Sequence, residues 1–160
     1  MKTLIIIRHA KAEQGHGTDS MRRLTERGHQ NAALMAARLV EKGYKIDKIF
    51  VSPSERTKET AVYFAEANHL EPNDIKYFDD LYLGDTLQIT ETVNWLQENI
   101  QTLAVIGHNP GVTNFTNDIT GSEIESLPTC GIAVMHIDCD DWQDFNEADK
   151  TLVEVMSPKD

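Results

Sequence analysis

The amino-acid sequence predicts an α/β fold, a three-layer sandwich in which a largely parallel central sheet carries helices on both faces. Short apolar runs alternate along the chain with amphipathic segments of helical period. The runs Leu4–Ile7 and Leu103–Ile106 are continuously apolar, which is typical of parallel strands buried on both faces. The segments between most strands are long enough for crossover helices, which favours parallel pairing.

The predicted elements follow one another in this alternating order. In the first helix one face is formed by Ala32, Met35, Ala36, Leu39 and Val40, and Gly43 is a suitable residue to follow its last turn. Each strand is a short run rich in Ile, Val or Phe. The predicted elements are a strand at 3–8, a loop at 9–24, a helix at 25–41, a strand at 46–51, a helix from 52 to about 69, a strand at 75–78, a helix at 86–99, a strand at 103–107, a helix at 110–120 and strands at 131–137 and 151–156.

Local signals define the start of the second helix. Ser52 is the expected N-cap, since Pro53 fits a first helical turn and Glu55 completes a capping box. We expect Trp95 and Trp142 to be packing residues.

The last two strands alternate in hydrophobicity, and the acidic residues 138–149 between them predict a solvated hairpin connection. We find no internal repeat and no linker-like segment. The 160 residues are therefore expected to form one domain, residues 1–160, with a substantial core.

Composition and charge restrict the partners. The formal net charge is −11, which disfavours nucleic acid and anionic membranes. No apolar run approaches the roughly 18 residues of a membrane span, and the first run is too short for a signal peptide. The two cysteines make no disulfide framework, so a cytoplasmic location is expected. Any anion site must be built from a few converging cations.

Three predicted strand ends carry such cations. The first strand ends in Arg8-His9, the second leads through Ser52 into Arg56, and the fourth leads into His108. Parallel sheets bind ligands beyond the carboxyl ends of their strands. We therefore expect Arg8, His9, Arg56 and His108 to converge.

Two arginines beside helix N-termini predict a phosphate site, because guanidinium groups match phosphate oxygens and helix N-termini attract anions. The two histidines, His9 and His108, add the possibility of covalent catalysis to this phosphate site. A neutral imidazole can attack phosphorus and carry it covalently, and neighbouring arginines would lower the histidine pKa and keep it neutral. One histidine is predicted to be the nucleophile, the other a hydrogen-bond donor to the phosphoryl oxygens. We expect the other four histidines, at positions 16, 29, 69 and 136, to be structural.

At these residues the sequence resembles the histidine phosphatase superfamily, whose phosphoglycerate mutase-like fold has an Arg-His-Gly motif after its first strand. The matching stretches include Leu24–Gly28, Ser52–Thr57 with Thr60, and Ile106–His108. The subgroup it resembles most is the short SixA-type phosphohistidine phosphatases, which share the stretch Asp19-Ser20-Met21-Arg22.

The resemblance implies roles for individual residues. His9 would be the phosphorylated nucleophile, Arg8, Arg56 and His108 would form the phosphate pocket, and Arg22 would be a further cation at its rim. The resemblance implies neither a metal nor another cofactor.

Two positions depart from the family pattern. Ala10 replaces the motif glycine, which is tolerated unless the backbone there needs a positive φ. For the proton donor, Asp80 is the best match, although SixA-type members often lack an obvious acid. A phosphohistidine substrate has less need of a protein acid, since its leaving imidazole can be protonated near neutral pH.

The function predicted is removal of a phosphoryl group from phosphohistidine on a protein such as a phosphotransfer domain, through a covalent intermediate on His9, with inorganic phosphate as product. The short segment Leu81–Asp85, in place of a long insertion, favours such an open pocket. The alternatives are a phosphomonoesterase acting on small metabolites and a phosphate- or phosphoprotein-binding module without turnover.

Other chemistries are less favoured. Neither cysteine has an arginine six residues later, and no nucleotide P-loop motif occurs. A metal on His9, His108 and Asp80 is disfavoured by the two neighbouring arginines.

Overall fold

The computed structural model describes residues 1–15 and 17–160. His16, which we expect to be structural, lies outside the described residues. The strands are β1 Lys2–Arg8, β2 Lys48–Val51, β3 Ile75–Tyr77, β4 Thr102–Gly107, β5 Ile132–Ile137 and β6 Lys150–Met156. The α-helices are α1 Glu26–Glu41, α2 Glu55–Ala67, α3 Thr86–Asn94 and α4 Gly111–Thr120. Short 3₁₀ turns lie at Asp19–Met21, Pro72–Asp74, Asp79–Leu81 and Trp142–Asp144.

The strands form one sheet in the order β3-β2-β4-β1-β5-β6. The first four strands in this order are parallel, while β5 pairs antiparallel with both β1 and β6. The predicted α/β architecture with a largely parallel sheet is therefore confirmed. β1 and β4 lie at the centre, which explains why their sequences are apolar without interruption.

Each face of the sheet carries its own hydrophobic cluster. Ile5 and Ile7 of β1 pack in the cluster that contains Met35 of α1 and Phe64 of α2. Alternate β1 residues face the other way, into the cluster that includes Phe115 of α4 and residues of α3. Successive strand side chains point to opposite faces, so this arrangement produces the three layers.

The start of α2 differs from the prediction. Ser54, not Ser52, is the N-cap, because its side chain accepts a hydrogen bond from the Thr57 backbone N–H and the helix begins at Glu55. The Ser52 hydroxyl instead pairs with His108 Nε2 at 2.8 Å. A capping rule based on local sequence could not detect this competing partner from another strand end.

Two further expectations fail on the α3 side. The helix ends at Asn94 rather than at residue 99, and Trp95 is 65% exposed, so its predicted packing role is wrong. Trp142 is buried as expected, and its indole N–H donates to the Ile100 carbonyl at 2.7 Å. The acidic 138–149 connection is therefore anchored to the core by this residue.

None of the helices among the described residues has the length and apolar composition needed to cross a membrane.

Candidate active site

Three neighbouring strands end at the same level. In the parallel ladder Arg8 of β1 pairs with Gly107 of β4, and the His9 amide donates to the Gly107 carbonyl at 3.1 Å. The Ser52 amide, just after β2, donates to the Ile106 carbonyl at 3.2 Å. These backbone contacts hold the residues that follow β1, β2 and β4 side by side.

The predicted residues converge at this edge. The His9 and His108 rings have centroids 5.4 Å apart, and Arg56 Nη2 lies 3.3 Å from His108 Nδ1. His9 is 7% exposed, and Arg56 and His108 are each 3% exposed. The charge of Arg8 helps to lower the pKa of both histidines, and the charge of Arg56 helps to lower the pKa of Arg8. The structure thus brings together Arg8, His9, Arg56 and His108.

The hydrogen bonds of His9 determine which ring nitrogen carries the proton. Nδ1 lies 2.7 Å from the Ala10 carbonyl oxygen. A carbonyl can only accept, so Nδ1 is the protonated nitrogen of the neutral ring and Nε2 holds the free lone pair. The lone pair of His9 that is available for bonding is therefore the one on Nε2.

The surroundings of His9 keep its ring neutral. Burial lowers the pKa of His9 from 6.5 to about 4, and the charges of Arg56, Arg8 and Arg22 act in the same direction against the opposing hydrogen bond to Ala10. A neutral imidazole at physiological pH is the form that can attack phosphorus.

The hydrogen bonds of His108 likewise determine which of its ring nitrogens carries the proton. A guanidinium only donates, so Nδ1 accepts from Arg56, and Nε2 carries the proton given to the Ser52 hydroxyl. Burial, followed by the charge of Arg56, lowers the pKa of His108 to about 3. In this form His108 orients Arg56. Direct donation to a phosphoryl oxygen stays a prediction.

Both arginines retain unused donors. The Nε atoms of Arg8 and Arg56 are buried and have no hydrogen-bond partner among the described residues. Arg8 is fixed by donation from Nη1 to the Leu127 carbonyl at 3.0 Å. Its pKa is lowered by burial and by the charge of Arg56. Two guanidinium groups held together in this way favour an anion between them.

Ala10 fits the site without strain. It is fully buried, its amide donates to Thr60 Oγ1 at 3.0 Å, and its φ is not positive. The loss of the motif glycine therefore does not distort the backbone after His9.

Asp19 and Tyr82 are additional polar residues at the site, which our sequence reasoning did not assign. The Asp19 carboxylate accepts from Arg56 Nη2 at 2.9 Å, from Arg22 Nη1 at 3.0 Å and from the Tyr82 hydroxyl. Its backbone carbonyl also accepts from Arg56 Nη1 at 2.8 Å. The spacing of Asp19 and Arg22 was visible in the sequence, but nothing local linked either residue to Arg56 or Tyr82.

The same network determines the charge on Asp19. The hydrogen bonds from Tyr82, then Arg56 and Arg22, hold the pKa of Asp19 well below its usual range. The carboxylate is ionised at neutral pH and acts as an acceptor. Arg22 is thereby fixed at the edge of the site, where its charge contributes to the lowered pKa of His9.

Asp80 lies in the 3₁₀ turn Asp79–Leu81 and is exposed. Among the described residues it makes no side-chain hydrogen bond or ion pair with the four converging residues, although Tyr82 follows two residues later. Its role as proton donor stays a prediction. The described residues also contain no cluster of three or more histidine, cysteine or acidic side chains arranged to hold a metal.

We expect the imidazole rings of His9 and His108 to remain neutral in the folded protein as the pH falls to about 5. In the folded protein the NMR signals of the His9 and His108 rings should keep their neutral positions from pH 8 to about 5, because their pKa values are lowered to about 4 and about 3. In denaturant both should titrate near pH 6.5. Since the unfolded chain then binds more protons, the free energy of unfolding should fall as the pH drops below about 6.5. Titration of either ring near pH 6.5 in the folded state would contradict this.

Comparisons with known proteins place the chain among related sequences. Residues 4–103 match the model of the family described as "Histidine phosphatase superfamily (branch 1)". An uncharacterised protein of Mycobacterium leprae is 26% identical over 96% of this chain and 100% of its own length.

Two solved structures extend the comparison. A structure of the protein histidine phosphatase SixA complexed with tungstate has 26% sequence identity and a TM-score of 0.84, covering 98% of this chain and 97% of its own. A mycobacterial glucosyl-3-phosphoglycerate phosphatase has a TM-score of 0.73 with 12% identity, covering 96% of this chain and 97% of its own. At that identity the second likeness concerns the fold alone.

Proposed function

The chain belongs to the histidine phosphatase superfamily, and from that premise we propose that it is a SixA-like phosphohistidine phosphatase acting on a phosphorylated protein. The observation that carries the proposal is the buried His9 ring, neutral and with Nε2 free, beside two guanidinium groups that each have an unused N–H. The similarity to SixA over nearly the whole chain supports the same substrate class.

The proposed reaction has two steps. The lone pair of His9 Nε2 attacks the phosphorus, and the bond from phosphorus to the substrate nitrogen breaks as the leaving imidazole takes a proton. Water then attacks the phosphorus on His9, the Nε2–P bond breaks, and inorganic phosphate leaves. Arg8 and Arg56 stabilise the charge on the phosphoryl oxygens in both steps.

The ionised state of Asp19 supports phosphohistidine over an ester. Asp19 is ionised because Tyr82 and the arginines donate to it, so it holds no proton for a leaving group. An alcohol or alkoxide leaving group would need a protein acid, whereas an imidazole can be protonated near neutral pH. The small-metabolite phosphomonoesterase remains the alternative that the experiment below tests.

The deciding experiment compares the turnover of a phosphohistidine-bearing phosphotransfer domain with that of a panel of small phosphomonoesters. We expect a preference for the protein substrate, with turnover insensitive to EDTA. A preference for a small ester would move the function to metabolite dephosphorylation. Inactivation by EDTA that zinc reverses would contradict metal independence.

A cytoplasmic location is expected on composition.

Replacing Asp80 tests the proton donor. We expect Asp80→Asn to reduce hydrolysis of a phosphomonoester by roughly 10²-fold if Asp80 protonates the alcohol, and to leave phosphohistidine hydrolysis much less affected. The measurement is kcat/KM for both substrates. The matched control is Asp79→Asn at the neighbouring exposed position. Equal losses on both substrates would contradict the leaving-group argument.

A further inference from the structure

A second group of cations lies at the same edge of the sheet as His9. A cavity of about 420 Å³ is lined by Lys11, Arg27 and Lys159, together with the uncharged Asn31, Pro128, Thr129 and Pro158. We call it the basic cleft. Its lining contains three positive charges and no acidic residue, in a chain whose net charge is −11.

The three cations form no ion pair with the residues that the structure describes. The ion pairs formed by the described residues include none of Lys11, Arg27 and Lys159. By contrast, the neighbouring Arg22 and Arg23 are both paired with carboxylates. The lining of the cleft is therefore locally positive, and none of its cations is held in an ion pair among the described residues.

The topology places the cleft beside the active site. Lys11 follows His9 by two residues, so their Cα atoms are at most about 7 Å apart. β5 runs antiparallel to β1, so the chain before Ile132 lies at the carboxyl end of β1. β6 runs antiparallel to β5, so the chain after Met156 returns to the same end. Pro128, Thr129 and Lys159 belong to these two segments.

Hydrogen bonds connect the walls of the cleft directly to Arg8 and His9. The Leu127 carbonyl accepts from Arg8 Nη1, and the Cys130 amide donates to the His9 carbonyl at 2.9 Å. On the other side, the Thr25 amide at the start of α1 donates to the Lys11 carbonyl at 2.9 Å. A Cβ on Gly28 would lie 2.1 Å from that carbonyl oxygen, so α1 packs directly against the Lys11 backbone.

We propose that the basic cleft binds acidic side chains that flank the phosphorylated residue of the protein substrate. This inference rests on the proposed function and adds the substrate sequence it favours. A polypeptide lying across this edge would place its phosphoryl group at His9 and neighbouring carboxylates at Arg27 and Lys159. Elsewhere the acidic surface would repel such a segment, so the cleft also fixes its orientation.

The test uses three phosphohistidine peptides that differ only in their flanking residues, which are Glu, Gln or Lys. We expect the wild-type kcat/KM to be about tenfold higher for the Glu peptide than for the Gln peptide, from two or three charge pairs at a partly exposed surface. The variant Arg27→Glu with Lys159→Glu should reverse this order and favour the Lys peptide. Lys45→Glu with Lys76→Glu, two exposed cations away from the cleft, is the matched control for net charge.

A preference unchanged by the cleft variant, or lost equally in the control, would overturn the proposal. Binding is measured separately from catalysis by NMR titration with the unphosphorylated Glu peptide. The Asn31 and Thr129 amide signals should shift in the wild type and not in the cleft variant. Absence of these shifts, or equal shifts with inorganic phosphate, would overturn the cleft as a peptide site. Shifts without turnover of any phosphohistidine peptide would instead refute the proposed function alone.

Discussion

His9→Ala is expected to lose roughly 10³- to 10⁶-fold in turnover, the scale seen when a nucleophile is removed, while the protein stays folded. The variant lacks the Nε2 lone pair that forms the bond to phosphorus. The backbone contacts of residue 9, from its amide to the Gly107 carbonyl and from the Cys130 amide to its own carbonyl, do not need the side chain. Turnover of the phosphohistidine protein and thermal unfolding measure the two effects.

A chemical trap makes this prediction specific for a covalent intermediate. Wild-type protein quenched during turnover should carry a phosphate label that is stable in alkali and lost in acid, as expected for phosphohistidine. His9→Ala should carry none. His136→Ala is the control, because His136 pairs with Thr3 at the opposite edge of the sheet. Labelling of the His9→Ala protein would end the proposed mechanism.

Arg56→Gln should have the second-largest effect. Arg56 is almost fully buried and contacts Asp19 and His108, and its Nε has no hydrogen-bond partner among the described residues. We expect kcat/KM to fall by about 10²- to 10³-fold, as when one preorganised donor to transition-state charge is removed. Inhibition by inorganic phosphate should weaken by about tenfold or more, since a charge-assisted hydrogen bond contributes about 1.5–3 kcal/mol.

Two further variants separate charge from geometry. Arg56→Lys keeps the charge but not the two-pronged donor, and we expect it to restore only part of the loss. Arg23→Gln removes an exposed arginine that pairs with Glu59 of α2 and should behave like the wild type. Equal phosphate inhibition in Arg56→Gln and the wild type would remove Arg56 from the phosphate site.

The sequence by itself determined the architecture and the main converging residues. Continuous apolar runs in β1 and β4 required burial on both faces, and the strand–helix alternation required a mostly parallel sheet. In such a sheet the strand ends must meet at one edge. The convergence of Arg8, His9, Arg56 and His108 follows from these local patterns without knowledge of any contact.

Only the tertiary structure decided which partners those residues have. Ser52 resembles an N-cap in sequence but pairs with His108, and Trp95 resembles a core residue but is exposed. Asp19 and Tyr82 are 63 positions apart, yet the Asp19 carboxylate accepts hydrogen bonds from both the Tyr82 hydroxyl and the Arg56 guanidinium. The basic cleft gathers cations from α1 and from both ends of the chain. Periodicity and local signals report on neighbours along the chain, whereas these contacts depend on how distant segments pack at one sheet edge.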